Sequence, residues 1–439
     1  MRRIERGDAG RGYPQAVRWT RLIGVSLVAG LVLSGCDILD RAMSVEAPGM
    51  VDADDMSDPA NAHLLVSGAI ADFNCALGAY IINGALLGNE LRDASVTAGR
   101  FPLDMRTIDD TSPYGVNGCN GNPPGIYRPL STAIWSSNNA LESLESWTDD
   151  EVEDRIDLIG QAAAYSGYSH VLMGEGFCSS VIEENGPEVQ PAQIFEVAVQ
   201  RFTKAIESAR AAQNDEIVDL ALLGRARANL NLGKLSDAAH DARELLDRNP
   251  SFSKVDVGSS TSSRRYNRIG AEFFSGNVTV DPSYRDLTID GVPDVRVEAF
   301  DTGTEGHDSE SPVWMVTKYG TERSADIREL PTPVGSWREA HLIIAEAEGG
   351  QTAVEHINIL RGHWGLPHFS SSDPDEIREQ VIEERKRELY LEGHHLWDLR
   401  RFELPQTPAP GEPYRQGGFY GDVRCFELPA VERNNNPNL

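Results

Sequence analysis

Apolar residues recur at helical spacing through most of the chain. The run from His63-Leu64-Leu65-Val66 through Leu77, Tyr80 and Ile81 to Leu86-Leu87 predicts a first long helix. The same periodicity predicts helices at Ile126–Trp147, Val152–Phe177, Pro191–Arg210, Glu216–Leu232 and Leu235–Asp247. It returns at Trp337–Glu348 and Thr352–Arg361, and again at Ile377–Arg401, which reads as one helix. There Ile382, Leu389 and Leu396 fall every seven residues, and Glu384, Arg385, Glu388 and Glu392 flank that stripe, positioned to pair with a neighbouring segment. Two stretches break the pattern. Residues 92–125 are rich in Gly, Pro, Asn and Asp, and residues 251–335 are rich in Ser, Gly, Thr and Asp, with short strand-like runs at Asn277–Val280 and Val313–Val316.

Small residues recur within the helical part. In the 216–247 hairpin Ala226, Gly233, Ala238 and Pro250 occupy the eighth, 15th, 20th and 32nd places of a tetratricopeptide frame, a repeat of about 34 residues. The alanines allow close helix approach, Gly233 turns the chain, and Pro250 stops the second helix. Ile156–Met173 looks like another first repeat helix. The fold class is therefore mostly α: a tetratricopeptide-like helical-repeat scaffold carrying a loop-rich, partly β insertion. Stacking would bury the apolar faces.

The N-terminus changes the picture. Leu22–Leu33 is an uncharged apolar stretch, too short for a bilayer crossing of about 20 residues. Six arginines precede it, and Leu33-Ser34-Gly35-Cys36 follows. That arrangement reads as a bacterial lipoprotein leader with Cys36 as the acylated residue. The expected organisation is a signal peptide (1–35), a lipidated acidic tether (36–58), an N-terminal helical-repeat region (59–250), a ligand-binding insertion (251–335) and a C-terminal helical region (336–439). Four further cysteines, Cys75, Cys119, Cys178 and Cys425, are candidates for two disulfides in an exported protein, with three connectivities open.

Composition narrows the partners. With 40 Lys+Arg against 68 Asp+Glu the formal charge is −28, which argues against nucleic acid and against charge-driven docking on anionic lipid. No Walker-type loop, G-x-S-x-G elbow or H-E-x-x-H motif occurs. Neither an enzyme nor a cofactor protein is expected. The histidines at 356, 363, 368, 394 and 395 lack the spacing of a metal site and read as structural. Asp52, Asp54 and Asp55 lack the glycine and spaced glutamate of a calcium loop and read as part of the tether.

The last hundred residues carry a resemblance. Ile382, Glu384-Arg385, Glu388-Leu389, Glu392-Gly393 and Asp398-Leu399-Arg400 resemble the C-terminal helical pattern of the SusD/RagB family of outer-membrane nutrient-binding lipoproteins. Trp337–Ala347, Ala353–Leu366, the ending Leu428-Pro429 to Asn436-Pro437-Asn438-Leu439, the lipobox, and Leu87–Leu91 after the first helix agree in order. His394 and His395 depart from the family's frequent arginine, and Gly174–Cys178 departs from its usual turn. The resemblance implies a non-catalytic lipoprotein at the outer membrane that captures oligosaccharide and delivers it to a TonB-dependent, SusC-like transporter. The other reading is a tetratricopeptide-type lipoprotein that binds peptides or a protein partner. For a glycan the expected platforms are Trp314, Tyr284 and Tyr319 in the insertion, faced by Phe101, Arg106 and Tyr114 of the 92–125 loop.

Overall fold

The computed structural model describes residues 57–439; the expectations on the leader, on Cys36 and on Asp52–Asp55 lie outside them. Helix α1 (Ala62–Leu87) enters the structure through a short turn whose Asp58 side chain accepts from the Ala60 N–H at 3.0 Å. Every residue from Cys75 to Leu87 is buried, so α1 is apolar all round because it is the central rod of the core. Among the described residues it is the helix long and apolar enough to cross a membrane, yet here it packs against protein.

Around α1 stand the repeat helices. Helices α3 (Tyr127–Ser146) and α4 (Arg155–Gly176) pack on it and on each other; the short α2 (Phe101–Asp104) precedes them. Helices α5 (Pro191–Ala212), α6 (Asp215–Asn231) and α7 (Leu235–Arg248) follow as stacked antiparallel pairs. The repeat frame holds residue by residue. Ala226 and Ala238 are completely buried, and Gly233 has φ +71° just after α6, a left-handed turn that glycine adopts at little cost. One ring explains the glycines of neighbouring helices. A Cβ on Gly224 would lie 2.3 Å from Phe202, and one on Gly167 2.7 Å from it. The Phe202 ring of α5 thus fills the space that α4 and α6 leave open.

The stack continues across the insertion. Helix α7 packs directly on α9 (Trp337–Glu348), which pairs with α10 (Gly350–His363). Strand β2 (Ser253–Val257) runs antiparallel to β8 (Pro331–Ser336), with Ser253 opposite Ser336 and Val257 opposite Pro331. The intervening loops are therefore gathered on a two-stranded stem. Helix α8 (Arg268–Ser275) sits inside this region, and β3 (Val278–Val280) pairs with β1 (Leu91–Asp93) in the 92–125 stretch. Two small hairpins complete it, β4 (Thr288–Ile289) with β5 (Val292–Pro293) and β6 (Ala299–Glu305) with β7 (Pro312–Val316). Residues 57–439 form one compact unit.

The C-terminal stretch corrects the expectation of one helix over 377–401. It breaks into α11 (Pro374–Glu388) and α12 (His395–Arg401). Leu391 and Gly393 take φ +55° and +85° between them, and the Leu391 N–H donates to the Glu90 carboxylate at 2.9 Å. The charges beside the seam are themselves buried. Glu384, Arg385 and Glu388 are all nearly inaccessible. Arg296 of the insertion donates to Glu384 and, at 3.3 Å, to Glu388, while Arg385 holds Asp398 of α12 at 3.0 Å. Removing one partner of such a pair typically costs about 3–5 kcal/mol, because the other charge stays buried and unpaired. The pairing expected of these charges exists, but within the core. A last helix, α13 (Ala430–Asn435), closes the chain.

Candidate ligand site

A strand pair, β1 with β3, brings the 92–125 stretch against the insertion, and one of two disulfides ties that stretch to α1. Cys75 of α1 is bonded to Cys119, and Cys178, just beyond α4, to Cys425. Of the three possible connectivities, this is the one the fold realises. Arg100, 1% exposed, then ties the two stretches together: Nη1 donates to Glu272 of α8 at 2.6 Å and Nη2 to the Asn122 side-chain amide oxygen at 2.8 Å. Asn277 donates to the same glutamate at 2.9 Å. Helix α8 is aimed by Asn267, whose side chain accepts the Gly270 N–H at 2.9 Å. Its consecutive phenylalanines part company: Phe273 is fully buried and Phe274 is 37% exposed.

Over Glu272 and Asn277 lies a pocket of about 240 Å³ lined by Asn120 and Asn122 and by Tyr266, Phe274 and Arg328. The Arg328 guanidinium stands 5.0 Å from both the Tyr266 and the Phe274 ring centres. This cation–π contact fixes two half-open rings side by side. The pocket thus combines apolar ring surface with carboxamide and guanidinium hydrogen-bonding groups, the mixture that small polar ligands with apolar faces require.

The six residues expected at a site fall elsewhere, and burial decides against most of them as platforms. Tyr284 is 1% exposed and stacked on Tyr390, with ring centres 4.4 Å apart. Tyr319 is fully buried and donates its hydroxyl to the Leu391 carbonyl at 2.8 Å. Tyr114 is buried against Phe426 and donates to the Glu427 carbonyl at 2.9 Å. Arg106 has no exposed surface; it donates to Asn89 at 3.2 Å and lies 4.9 Å from the Tyr420 ring centre. These four hold the loops together. Trp314 is half-buried with Arg285 4.9 Å from its ring centre, and Phe101 is half-buried against Tyr414. Neither lines the pocket at Phe274. Tyr266 and Phe274 stood among the insertion's aromatics in the sequence, but nothing marked them above their neighbours. The inside-outside alternation at Phe273-Phe274 was the available signal.

The electrostatics around the pocket are those of a tightly paired loop cluster. Burial raises the Asp93 carboxyl to about 7, against two hydrogen bonds from Ser95 that lower it. Arg92 is locked between Asp104, at 3.0 Å, and Asp281. Among the described residues no group of three or more His, Cys, Asp or Glu side chains is placed to hold a metal ion. His341 and His356, facing Nδ1 to Nδ1 at 2.6 Å, are both pushed below the usual imidazole range by burial.

Fold and site together define a helical-repeat protein with a loop-built pocket. Residues 339–429 match the SusD family. The fold matches a SusD-like carbohydrate-binding protein from Bacteroides vulgatus, with a TM-score of 0.64 and 16% identity over 87% of this chain and 97% of that one. It also matches a SusD superfamily protein from Parabacteroides distasonis (TM-score 0.62, 15% identity, 85% of this chain and 98% of that one). A laminarin-binding SusD-like protein is similar to the same degree (TM-score 0.61, 15% identity, 86% and 98%). No curated protein sequence matches. The C-terminal region thus matches the SusD family in sequence, and the described chain as a whole has the SusD-like fold.

Proposed function

We propose that this protein is a non-catalytic nutrient-binding lipoprotein that captures oligosaccharide in the pocket at Phe274. The observation that carries the reading is the pairing of Tyr266 and Phe274, steadied by Arg328, opposite Asn120 and Asn122. Sugar rings offer apolar C–H faces to such rings and hydroxyls to such amides. The carbohydrate-binding and laminarin-binding proteins of the same fold support the ligand class. The lipobox at Cys36 supports acylation and outer-membrane anchoring, and the match of residues 339–429 to the SusD family supports a SusC-like TonB-dependent transporter as the partner that receives the ligand.

The test is a parallel glycan and peptide screen on the protein starting after Cys36. Neutral oligosaccharides are expected to bind, and Phe274→Ala to weaken them roughly ten-fold or more. Binding of peptides alone would overturn the glycan reading in favour of a peptide-binding repeat scaffold. Affinity purification from detergent-solubilised outer membrane should recover a β-barrel partner, and Cys36→Ser should release the protein from the membrane; recovery of the protein alone, or retention of the variant, would count against those two claims.

A further inference from the structure

A second cleft opens on the helical side of the molecule. It measures about 620 Å³ and lies where α3, α5, the loop at 181–185 and α13 meet. It shares no lining residue with the pocket at Phe274. Trp135 of α3 lines it and is 50% exposed, an unusual degree for the largest apolar side chain. Asn436 fixes the C-terminal wall by donating to the Gly186 carbonyl at 2.9 Å and to Glu432 at 3.2 Å.

Arg201, from α5, is the informative group. Its Nε is buried without a hydrogen-bond partner among the described residues. No carboxylate among them stands within ion-pairing distance of its guanidinium, although Glu142, Glu183, Glu184 and Glu432 share the cleft. The arginines of the loop cluster differ in their ion pairs: Arg100 Nε is likewise unpartnered, yet Arg92, Arg100 and Arg415 each hold a carboxylate. A buried donor left unpaired costs about 1–3 kcal/mol, so an arginine kept in this state is poised for a group the chain does not supply.

We infer that this cleft is a second saccharide-binding site, with Trp135 as the stacking surface and Arg201 as the hydroxyl-binding donor. Four glutamates (Glu142, Glu183, Glu184 and Glu432) beside one arginine make the cleft net negative, which repels uronic acids, sulfated sugars and acidic peptides. The same carboxylates accept hydrogen bonds from hydroxyls. The ligand class is therefore a neutral glycan unit. The choice of glycan rests on the proposed function; the location of the cleft does not.

The test uses calorimetry on the protein starting after Cys36, with a panel of neutral hexasaccharides (β-1,3-, β-1,4- and α-1,4-linked glucose, β-1,4-linked mannose and xylose). In a Phe274→Ala background, which weakens the loop pocket, at least one member should still bind with the affinity it shows for the second cleft. Trp135→Ala or Arg201→Gln added to that background should weaken this binding about ten-fold or more. Trp135 is surface-exposed, and its alanine variant is expected to melt with the parent. If the wild type binds the panel but the Phe274→Ala protein does not, the second site is refuted while the proposed function stands. The second site is equally refuted if Trp135→Ala and Arg201→Gln change nothing. If no form binds any member, both proposals fail.

Discussion

Tyr284 lies flat on Tyr390, ring centres 4.4 Å apart and planes inclined by 26°, with the Lys386 ammonium 4.8 Å from the Tyr284 ring centre. The contact joins the insertion to the turn between α11 and α12, and both tyrosines are inaccessible to solvent. The Tyr284 hydroxyl finds no hydrogen-bond partner among the described residues. Two outcomes follow for urea unfolding. Tyr284→Ala should cost about 3–5 kcal/mol, since a large aromatic leaves a cavity in a packed interior. Tyr284→Phe should be neutral or slightly stabilising, because it removes only an unsatisfied buried hydroxyl. A large loss from the phenylalanine variant would show that the hydroxyl is bonded after all.

The turn after α1, whose Glu90 carbonyl accepts the Tyr390 hydroxyl at 3.1 Å, contains a buried acid. Glu90 accepts the Leu391 N–H, and burial raises its carboxyl from 4.5 to about 7, the hydrogen bond and Lys318 opposing the shift. A raised acid helps the fold while it is protonated, so its contribution is complete below pH 4.5 and is lost as pH rises through 7. Glu90→Gln is neutral at every pH. Relative to wild type it should be near-equal at about pH 4.5 and more stable at about pH 8, by up to about 3 kcal/mol. His395 has the opposite sign: burial lowers it from 6.5 to about 4, so its stabilising share exists above pH 6.5 and is lost as pH falls toward 4. Comparing the two proteins at each pH cancels that background. A stability difference that does not change with pH would refute the assignment to Glu90.

The Cys75–Cys119 bridge spans 44 residues and pins the loop that bears Asn120 and Asn122 to α1. Closing a loop of that length in the unfolded chain is worth about 4 kcal/mol in the entropic account. Cys75→Ala with Cys119→Ala should lower thermal stability clearly and weaken glycan binding at the Phe274 pocket, since one wall loses its tether. Binding at the Trp135 cleft, assayed in the Phe274→Ala background, should change little. Mass spectrometry of the alkylated, non-reduced protein should show neither cysteine pair free.

The helices were legible from periodicity because each buries a stripe against the next, and the repeat frame was legible at Ala226, Gly233 and Ala238 because close approach and a left-handed turn leave few residue choices. The insertion's strands at 278–280 and 312–316 were legible from their β-branched runs. The kink at Leu391–Gly393 was not, because a left-handed leucine is imposed by tertiary contacts, here with Glu90, and not by local preference. The site residues were hidden for a related reason. Exposed platforms and core aromatics have the same composition, and only packing separates Phe274 from Phe273 or Trp135 from Tyr284.

The junction of α4, α5 and α6 offers the sharpest check on the repeat geometry. Glycine inside a helix ordinarily weakens it, and Gly→Ala at an open position gains about 1 kcal/mol. At Gly224 the added Cβ would meet Phe202 at 2.3 Å, a distance that only displacement of the ring or the helix can relieve. Overpacking of that kind typically costs about 1–3 kcal/mol. Gly224→Ala should therefore destabilise despite its better helix propensity. Phe202→Leu, which vacates ring volume, should partly rescue it: the double variant should be less impaired than the sum of the single losses, a coupling of about 1 kcal/mol or more. Simple additivity of the two substitutions in urea unfolding would mean that Phe202 does not fill the gap between these helices.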